Sequence, residues 1–394
     1  MIKSAVVLAG GRGTRLRPLT YVTPKPLVPV GNEPLLGHIL RFLKHNGITE
    51  VIVVVNYLGE LIRKFIESRD WGIRVRVCDK NPLDTADAVR KCCDMIGDAP
   101  FFVAMGDVLT NMPLCDMGAY HEETGAFATI ALKAVENPLE YGLVLLNESG
   151  EIELFLEKPL SIEIYLMTLA YYRKRTRTLY ANLVNTGFYA FDPLLIDLLH
   201  KERYLMDFGR HVFPYLLEAG HRVMGWDAGE AYWKDLGRPA AYLEAHRDLL
   251  AGLCEPLTPR GRLVEPEGVW VDGEVEVEGL VIPPVALADG VRIGPNAVVG
   301  PYVSLGSNTY VETGARVKDS VIWDNVEVGA GAVLDSCIVA SGAVIGREAR
   351  LGPNTVVGHN SVISDGVKLE SGVVLEPHAR LRRVEVAATS SANE

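Results

Sequence analysis

The sequence is most informative first in what it lacks. No apolar run approaches the ~18 residues that a membrane-spanning helix needs. The apolar stretch near the start, Ala5–Ala9, is followed by glycines, so it is a poor signal peptide and reads as a buried strand. No CxxC pair occurs. Cys78, Cys92, Cys93, Cys115, Cys254 and Cys337 fit neither a metal site nor a disulfide framework and read as reduced, mostly buried thiols of a cytoplasmic protein. An excess of positive charge is also missing: 39 Lys and Arg face 50 Asp and Glu, for a net charge of −11. General nucleic-acid binders are basic, so neither nucleic acid nor membrane is expected as a partner. What remains, at 48% apolar and 23% charged residues, is a globular composition, and 394 residues exceed one ordinary core.

Up to about residue 250, β-branched runs alternate with helical spacing. Ser4–Ala9, Glu50–Asn56, Ile73–Cys78 and Phe101–Met105 read as strands, and Leu35–Asn46, Gly59–Ser68 and Asp84–Ile96 as helices. Continuous apolar strands separated by helices imply an α/β fold with a mainly parallel sheet covered on both faces. Such sheets bind ligands beyond the carboxyl ends of their strands, which directs attention to the loops after Ala9, Asn56, Cys78 and Met105.

Beyond a linker at 251–262 the period becomes six. Stepping by six from Leu263 reaches Val317, resumes after a five-residue step at Ile322, and after another at Val339, ending at Leu381. All 21 positions are aliphatic, too many for chance when about half of all residues are apolar, and many are followed by glycine. The pattern resembles the hexapeptide left-handed β-helix family. It implies six to seven coils over 263–385, with each aliphatic residue inside a narrow prism. The Ser- and Ala-rich tail, 386–394, is expected to be disordered.

The strongest chemical signal is LAGGRGTRLRPLTYVTPKPLVPV, Leu8–Val30. A strand ends at Ala9, and Gly10, Gly11 and Gly13 let backbone N–H groups approach a ligand, as in an anion-binding concavity. Residues 1–32 hold Lys3, Arg12, Arg15, Arg17 and Lys25 and no acidic residue. Donors that wrap an anion beside cations that neutralise it suit a triphosphate. The segment is neither a dinucleotide GxGxxG nor a GxxxxGK[ST] loop.

GGRGTRLRPLT followed by PKPL resembles the sugar nucleotidyltransferases, or NDP-sugar pyrophosphorylases, over nearly the whole chain. The resemblance implies a Rossmann-like domain at 1–250 that joins a nucleoside triphosphate to a sugar 1-phosphate, with Mg²⁺ as cofactor. It implies that Leu8, Ala9, Gly10, Gly11, Gly13 and Thr14 hold the nucleotide. Arg15 would also support the departing pyrophosphate, and Lys25 would contact both the sugar phosphate and the α-phosphate. Lys suits that position as a mobile point charge between two anions.

Other motifs follow in the family's order. NPLDTADAVR places Thr85 and Ala86 at base-contacting positions, while Asp84 and Asp87 replace glycines. These carboxylates either accept from an amino group of the base or cap a helix that starts here. FFVAMGD ends a strand in Asp107, and YWKDLG supplies Asp235; the resemblance makes these the metal pair. Tyr141 and Gly142, Glu157 and Lys158, and Asn185, Thr186 and Gly187 match the sugar-pocket motifs YG, EKP and N-x-G. Between Pro159 and Asn185 the chain is longer than in relatives. This insertion, 160–181, reads as a helix with a solvated basic end, as a lid, or as an interface. His359 and His378 read as structural residues of the coils, the alternative being an acetyltransferase site.

No protein nucleophile is required, because a phosphate monoester is already nucleophilic. Catalysis would be positioning and charge neutralisation. PKPLVPVGNEPLL and DFGRHVFP are similar to the mannose-1-phosphate guanylyltransferase branch, which implies GTP and mannose 1-phosphate. The alternative is a glucose-1-phosphate enzyme using dTTP, UTP or ATP, since TADAV is similar to the ADP-glucose branch. A catalytically weak regulatory paralogue is a further alternative. Open coil ends imply a homo-oligomer.

Overall fold

The computed structural model describes residues 1–158, 182–264 and 267–382. The 160–181 insertion, Pro159 and the 386–394 tail lie outside the described residues. The chain forms two compact units that interleave in sequence. One comprises Met1–Gly13, Val22–Val28 and Leu35–Asp235; the other comprises Thr14–Tyr21, Pro29–Pro34 and Leu236–Glu394.

The first unit is built on a nine-stranded sheet. Ser4–Leu8 lies between Phe101–Met105 and Glu50–Val54, and Arg74–Cys78 follows at the edge, all parallel. These strands are apolar because they are covered: Val6, Val7, Val53, Phe102 and Val103 are buried. The other half of the sheet is mostly antiparallel. Leu183–Phe191 runs against Phe101–Met105 and Ala128–Ala134, Gly142–Leu146 forms a hairpin with Ile152–Glu157, and Val223–Asp227 alone lies parallel to its neighbour, Ala128–Ala134. The short connection of the hairpin is possible only between antiparallel strands. The helix expected over 84–96 is shorter. Asp84 is its N-cap, the helix runs Thr85–Lys91, and Cys92 leaves helical geometry before a single 3₁₀ turn, Cys93–Met95. All six cysteines are free thiols, four of them buried.

The carboxyl ends of Ser4–Leu8 and Phe101–Met105 are pressed together. The Gly106 N–H donates to the Leu8 carbonyl at 2.9 Å. A Cβ at Gly106 would stand 2.6 Å from that same oxygen, so the loop that carries Asp107 can have only glycine there.

The second unit contains a parallel β-helix. Its short strands stack into three sheets of eight, seven and six strands, in which only the first strand, Arg262–Val264, is antiparallel. Val285 pairs with Val303, one regular coil of three hexads. Ser304 pairs with Val321 and Val321 with Ile338, each seventeen residues on, so each five-residue step shortens the coil that contains it without breaking the ladder. Leu287, Ile293, Val299, Leu305, Val311, Ile322, Leu334 and Ile345 fill the prism and are buried. Each contributes about 1.5–3 kcal/mol by leaving water. The glycines after the aliphatic residues serve coil stacking more than chain reversal. A Cβ at Gly346 would meet the Asp365 nitrogen of the next coil at 2.5 Å. Left-handed backbone falls instead on residues such as Asn354 and Asn360, with φ of 59° and 56°. The helix Pro239–Leu250 and the segments Thr14–Tyr21 and Pro29–Pro34 belong to the same unit.

Two buried histidines make stability pH-dependent. Burial lowers the pKa of His121 below its ordinary 6.5, and the carboxylates of Asp192 and Glu122 offset this only in part. Burial likewise lowers that of His359, against the opposing effect of the Leu19 carbonyl. The unfolded chain therefore binds protons that the folded chain resists, and stability falls as pH drops below about 6.5. The thermal midpoint is expected to decline from pH 7.5 to 5.5, and less steeply in a His121→Gln/His359→Gln double variant. Equal slopes would remove these histidines as the cause.

Candidate functional site

The site in the first unit begins at Lys25. Pro24 and Pro26 flank it in a 3₁₀ turn, Lys25–Leu27, which turns the side chain inward. Lys25 is 6% exposed. Its ammonium donates to Asp107 Oδ2 at 2.7 Å and to Asp235 Oδ1 at 3.2 Å. Asp107 sits in the turn between Phe101–Met105 and Val108–Thr110. Asp235 ends the short strand Trp233–Asp235, which pairs antiparallel with Val108–Thr110 and sets Asp235 opposite Val108. This pairing brings together two carboxylates 128 residues apart in sequence. Burial alone would lower the Lys25 pKa, but the two carboxylates outweigh it and raise it above the ordinary 10.5. The ammonium is therefore charged throughout the neutral range.

A second cluster lies on the antiparallel half of the sheet. Gly142 pairs with Glu157 across the hairpin, and the Lys158 N–H donates to the Tyr141 carbonyl at 3.2 Å. A Cβ at Gly142 would lie 3.0 Å from Glu157 Oε2 and 3.3 Å from the Asn185 Cβ. Asn185 pairs with Leu132, and Thr186 and Gly187 lie in the bulge between Asn185 and Tyr189 in Leu183–Phe191. There the Asn185 Oδ1 accepts from the Gly187 N–H at 2.9 Å, and its Nδ2 donates to the Tyr189 hydroxyl at 3.0 Å. The Thr186 hydroxyl donates to the Ala131 carbonyl. Trp233 connects the two clusters: its indole N–H donates to the Thr186 carbonyl at 3.0 Å and its ring meets Tyr141 edge-on at 5.2 Å. Lys158 is exposed and paired with Glu157 at 3.4 Å.

The glycine loop contributes differently. Leu8 and Ala9 are engaged in the sheet, and the Ala9 N–H donates to the Val54 carbonyl. A Cβ at Gly11 would meet nothing within 4 Å, so protein packing does not require glycine there. A surface left bare by a small residue allows close approach of a ligand to the backbone. Gly13 takes a φ of 59°. Thr14 and Arg15 are exposed on a 3₁₀ turn of the second unit, and Arg17 stacks over the Tyr21 ring at 4.7 Å.

The helix Thr85–Lys91 starts in a tightly bonded frame. Asp84 Oδ1 accepts from the Thr85 N–H at 2.9 Å, so the capping role is occupied. Burial and the neighbouring Asp207 carboxylate raise the Asp84 pKa. Asp87 is buried, with Arg90 at 2.6 Å and Lys91 at 3.3 Å. Burial would raise its pKa, but the Leu83 N–H and these two cations hold it low. Ala86 is fully buried and its N–H donates to the Met206 carbonyl, while the Thr85 hydroxyl donates to Asp207 Oδ2 at 2.9 Å.

Sequence reasoning missed two participants here. Asp207 links the helix start to Phe208–Val212, and a Cβ at Gly209 would lie 2.7 Å from Glu157 Oε2. The signal was available in DFGRH: an Asp three residues before the N–H it accepts, with a glycine between.

Comparison with known proteins adds independent findings. The nucleotidyl transferase family matches residues 4–252, and the GMPPB C-terminal domain matches residues 281–389. A probable mannose-1-phosphate guanylyltransferase 1 of Oryza sativa subsp. japonica is 29% identical over 96% of this chain and 97% of its own length. A mannose-1-phosphate guanyltransferase of Candida albicans is 31% identical over 88% of each chain. The mannose-1-phosphate guanylyltransferase catalytic subunit beta of Danio rerio is 30% identical over 88% of each.

Removing Lys25 leaves two carboxylates facing each other without their counter-ion. Because both are partly exposed, Lys25→Ala is expected to cost on the order of 2 kcal/mol, less than a fully buried pair. Millimolar Mg²⁺ should raise the thermal midpoint of this variant more than that of the wild type. Equal Mg²⁺ responses would show that the carboxylates do not depend on Lys25 for neutralisation.

Proposed function

The chain belongs to the nucleotidyl transferase family, and we propose that it makes an NDP-sugar from a nucleoside triphosphate and a sugar 1-phosphate, with GTP and mannose 1-phosphate as the pair. The observation that carries this reading is the Lys25 ammonium held between Asp107 and Asp235. The relatives named for mannose 1-phosphate and spanning nearly the whole chain support the choice of substrates.

In the reaction an oxygen of the sugar phosphate attacks the α-phosphorus in line. A new P–O bond forms as the α–β bridging P–O bond breaks, and pyrophosphate departs with the bond's electrons. No group of the protein is acylated or phosphorylated. The chain's work is to hold two anions together against their repulsion. Lys25 is the mobile cation between them, Gly10, Gly11 and Gly13 present backbone to the triphosphate, and Arg15 supports the pyrophosphate. The pocket of Tyr141, Gly142, Glu157 and Asn185 orients the sugar hydroxyls.

The donor set also fits Mg²⁺. Two hard carboxylate oxygens converge at one point, and among the described residues no group of three His, Cys, Asp or Glu is gathered. A cation that keeps several waters and takes its other ligands from phosphates needs no more than two carboxylates. Asp107 and Asp235 would hold it, and bound there it would neutralise triphosphate charge. The homo-oligomer expected from the coil ends belongs to the same reading, and light scattering on the intact chain measures it.

The test is a matrix of five triphosphates against mannose, glucose and N-acetylglucosamine 1-phosphates, read by pyrophosphate release. GTP with mannose 1-phosphate should give the highest kcat/KM; a glucose 1-phosphate pair in first place would replace the substrate assignment. With the preferred pair, Lys25→Ala should lose about 10²–10³ in rate, as for removal of one charge-stabilising donor. Asp107→Asn and Asp235→Asn should each raise the Mg²⁺ concentration needed for half-maximal rate.

A further inference from the structure

The β-helix unit contains more than coils. It includes two pieces of the basic glycine-rich signature, Thr14–Tyr21 and Pro29–Pro34. A coil side chain bonds to the backbone of the first, and two side chains of the helix Pro239–Leu250, themselves bonded to coil side chains, bond to the backbone of the second. His359 is 6% exposed, and its Nε2 lies 3.1 Å from the Leu19 carbonyl, 340 residues away in sequence. A carbonyl only accepts, so Nε2 carries the proton. The Trp323 ring packs edge-on against His359 at 5.3 Å. The indole N–H of Trp323 donates to the Tyr242 hydroxyl at 3.0 Å, which donates to the Pro29 carbonyl at 2.5 Å. His246 Nε2 donates to the same carbonyl at 2.9 Å, and the Ser304 hydroxyl donates to His246 Nδ1 at 3.0 Å. Asn32 returns a bond to the Leu305 carbonyl at 3.0 Å.

The held segment has little structure of its own. Thr14–Leu16 and Leu19–Tyr21 are single 3₁₀ turns. Turns this short cannot hold their shape by internal bonds. Leu16, Leu19 and Thr20 are fully buried, while Thr14 and Arg15 are exposed on the same segment. The coil contacts therefore fix the backbone from which Thr14 and Arg15 project. Misplacing such a group by about 1 Å can cost a hundredfold in rate.

We propose that His359 and Trp323 are positioning residues: the β-helix sets the conformation of the segment that presents Thr14 and Arg15 to the nucleoside triphosphate. The inference rests on the nucleotidyl-transfer reading for the role of those two residues. It assigns His359 work in ligand binding by bonding geometry, with no acyl chemistry.

The experiment uses the full chain with His359→Gln, whose amide can still donate, His359→Leu, which fills the space without a donor, and Trp323→Leu, which removes the ring that packs against His359. Amide hydrogen exchange over residues 14–21 is read first, because it needs no substrate. His359→Leu and Trp323→Leu should exchange faster there, with His359→Gln close to wild type. In steady-state kinetics the KM for the triphosphate should rise about fivefold in His359→Leu, the equivalent of one hydrogen bond. The KM for the sugar phosphate should stay within about twofold, and His359→Gln should recover most of the loss. If His359→Leu does not fold, Trp323→Leu carries the same expectation. Unchanged exchange over 14–21 in a folded variant overturns the proposal. So does faster exchange with an unchanged triphosphate KM, which would leave the bond a purely structural one. A wild-type protein that turns over no substrate pair would defeat the functional reading instead, and the exchange result would still decide whether the coils hold the segment.

Discussion

The arrangement of the first unit turns on one buried charge. A lysine ammonium cannot sit at 6% exposure unless carboxylates compensate its desolvation, and here Asp107 and Asp235 do so together. Each partner is delivered by a different device: a proline-flanked 3₁₀ turn, a strand end that only glycine can precede, and a three-residue strand paired with Val108–Thr110 in a small two-stranded sheet. Shifting any of the three would break at least one of the two ion pairs that compensate Lys25. The cluster therefore fixes the register of Trp233–Asp235, and through it Trp233, which ties the bulge at Thr186 to Tyr141. The charge pairing and the geometry around Thr186 and Tyr141 are one construction.

Periodicity made much of the fold legible. The aliphatic hexads, including both five-residue steps, correspond to coils of eighteen and seventeen residues, because side-chain direction into a narrow prism tolerates no drift. The apolar strands Ser4–Leu8, Glu50–Val54 and Phe101–Met105 were equally plain. The antiparallel half of the sheet was not, since a strand's sequence records burial and not the direction of its neighbour. The candidate site was legible as a set of motifs and illegible as a set of contacts. Nothing in YWKDLG says that it pairs with Val108–Thr110, and nothing in TADAV says that Asp87 is spent on Arg90 and Lys91. Gly209 escaped notice because its importance lies in the space it leaves beside Glu157.

The position of a motif in the sequence also misleads about which unit it serves. Every motif of the proposed site precedes residue 238, which makes the coils look dispensable for chemistry. Yet Thr14–Tyr21 and Pro29–Pro34 pack with the coils, while Gly10–Gly13 and Lys25 do not. Between Gly13 and Leu35 the chain passes from one unit to the other four times. Leu16 and Leu19 bury themselves in one unit, and Lys25 and Val28 in the other. Cutting the chain after the helix Pro239–Leu250 would remove the bonding partners of Leu19 and expose apolar side chains in the middle of the signature. The β-helix is thus part of how the signature holds its shape, whatever further role its outer faces have.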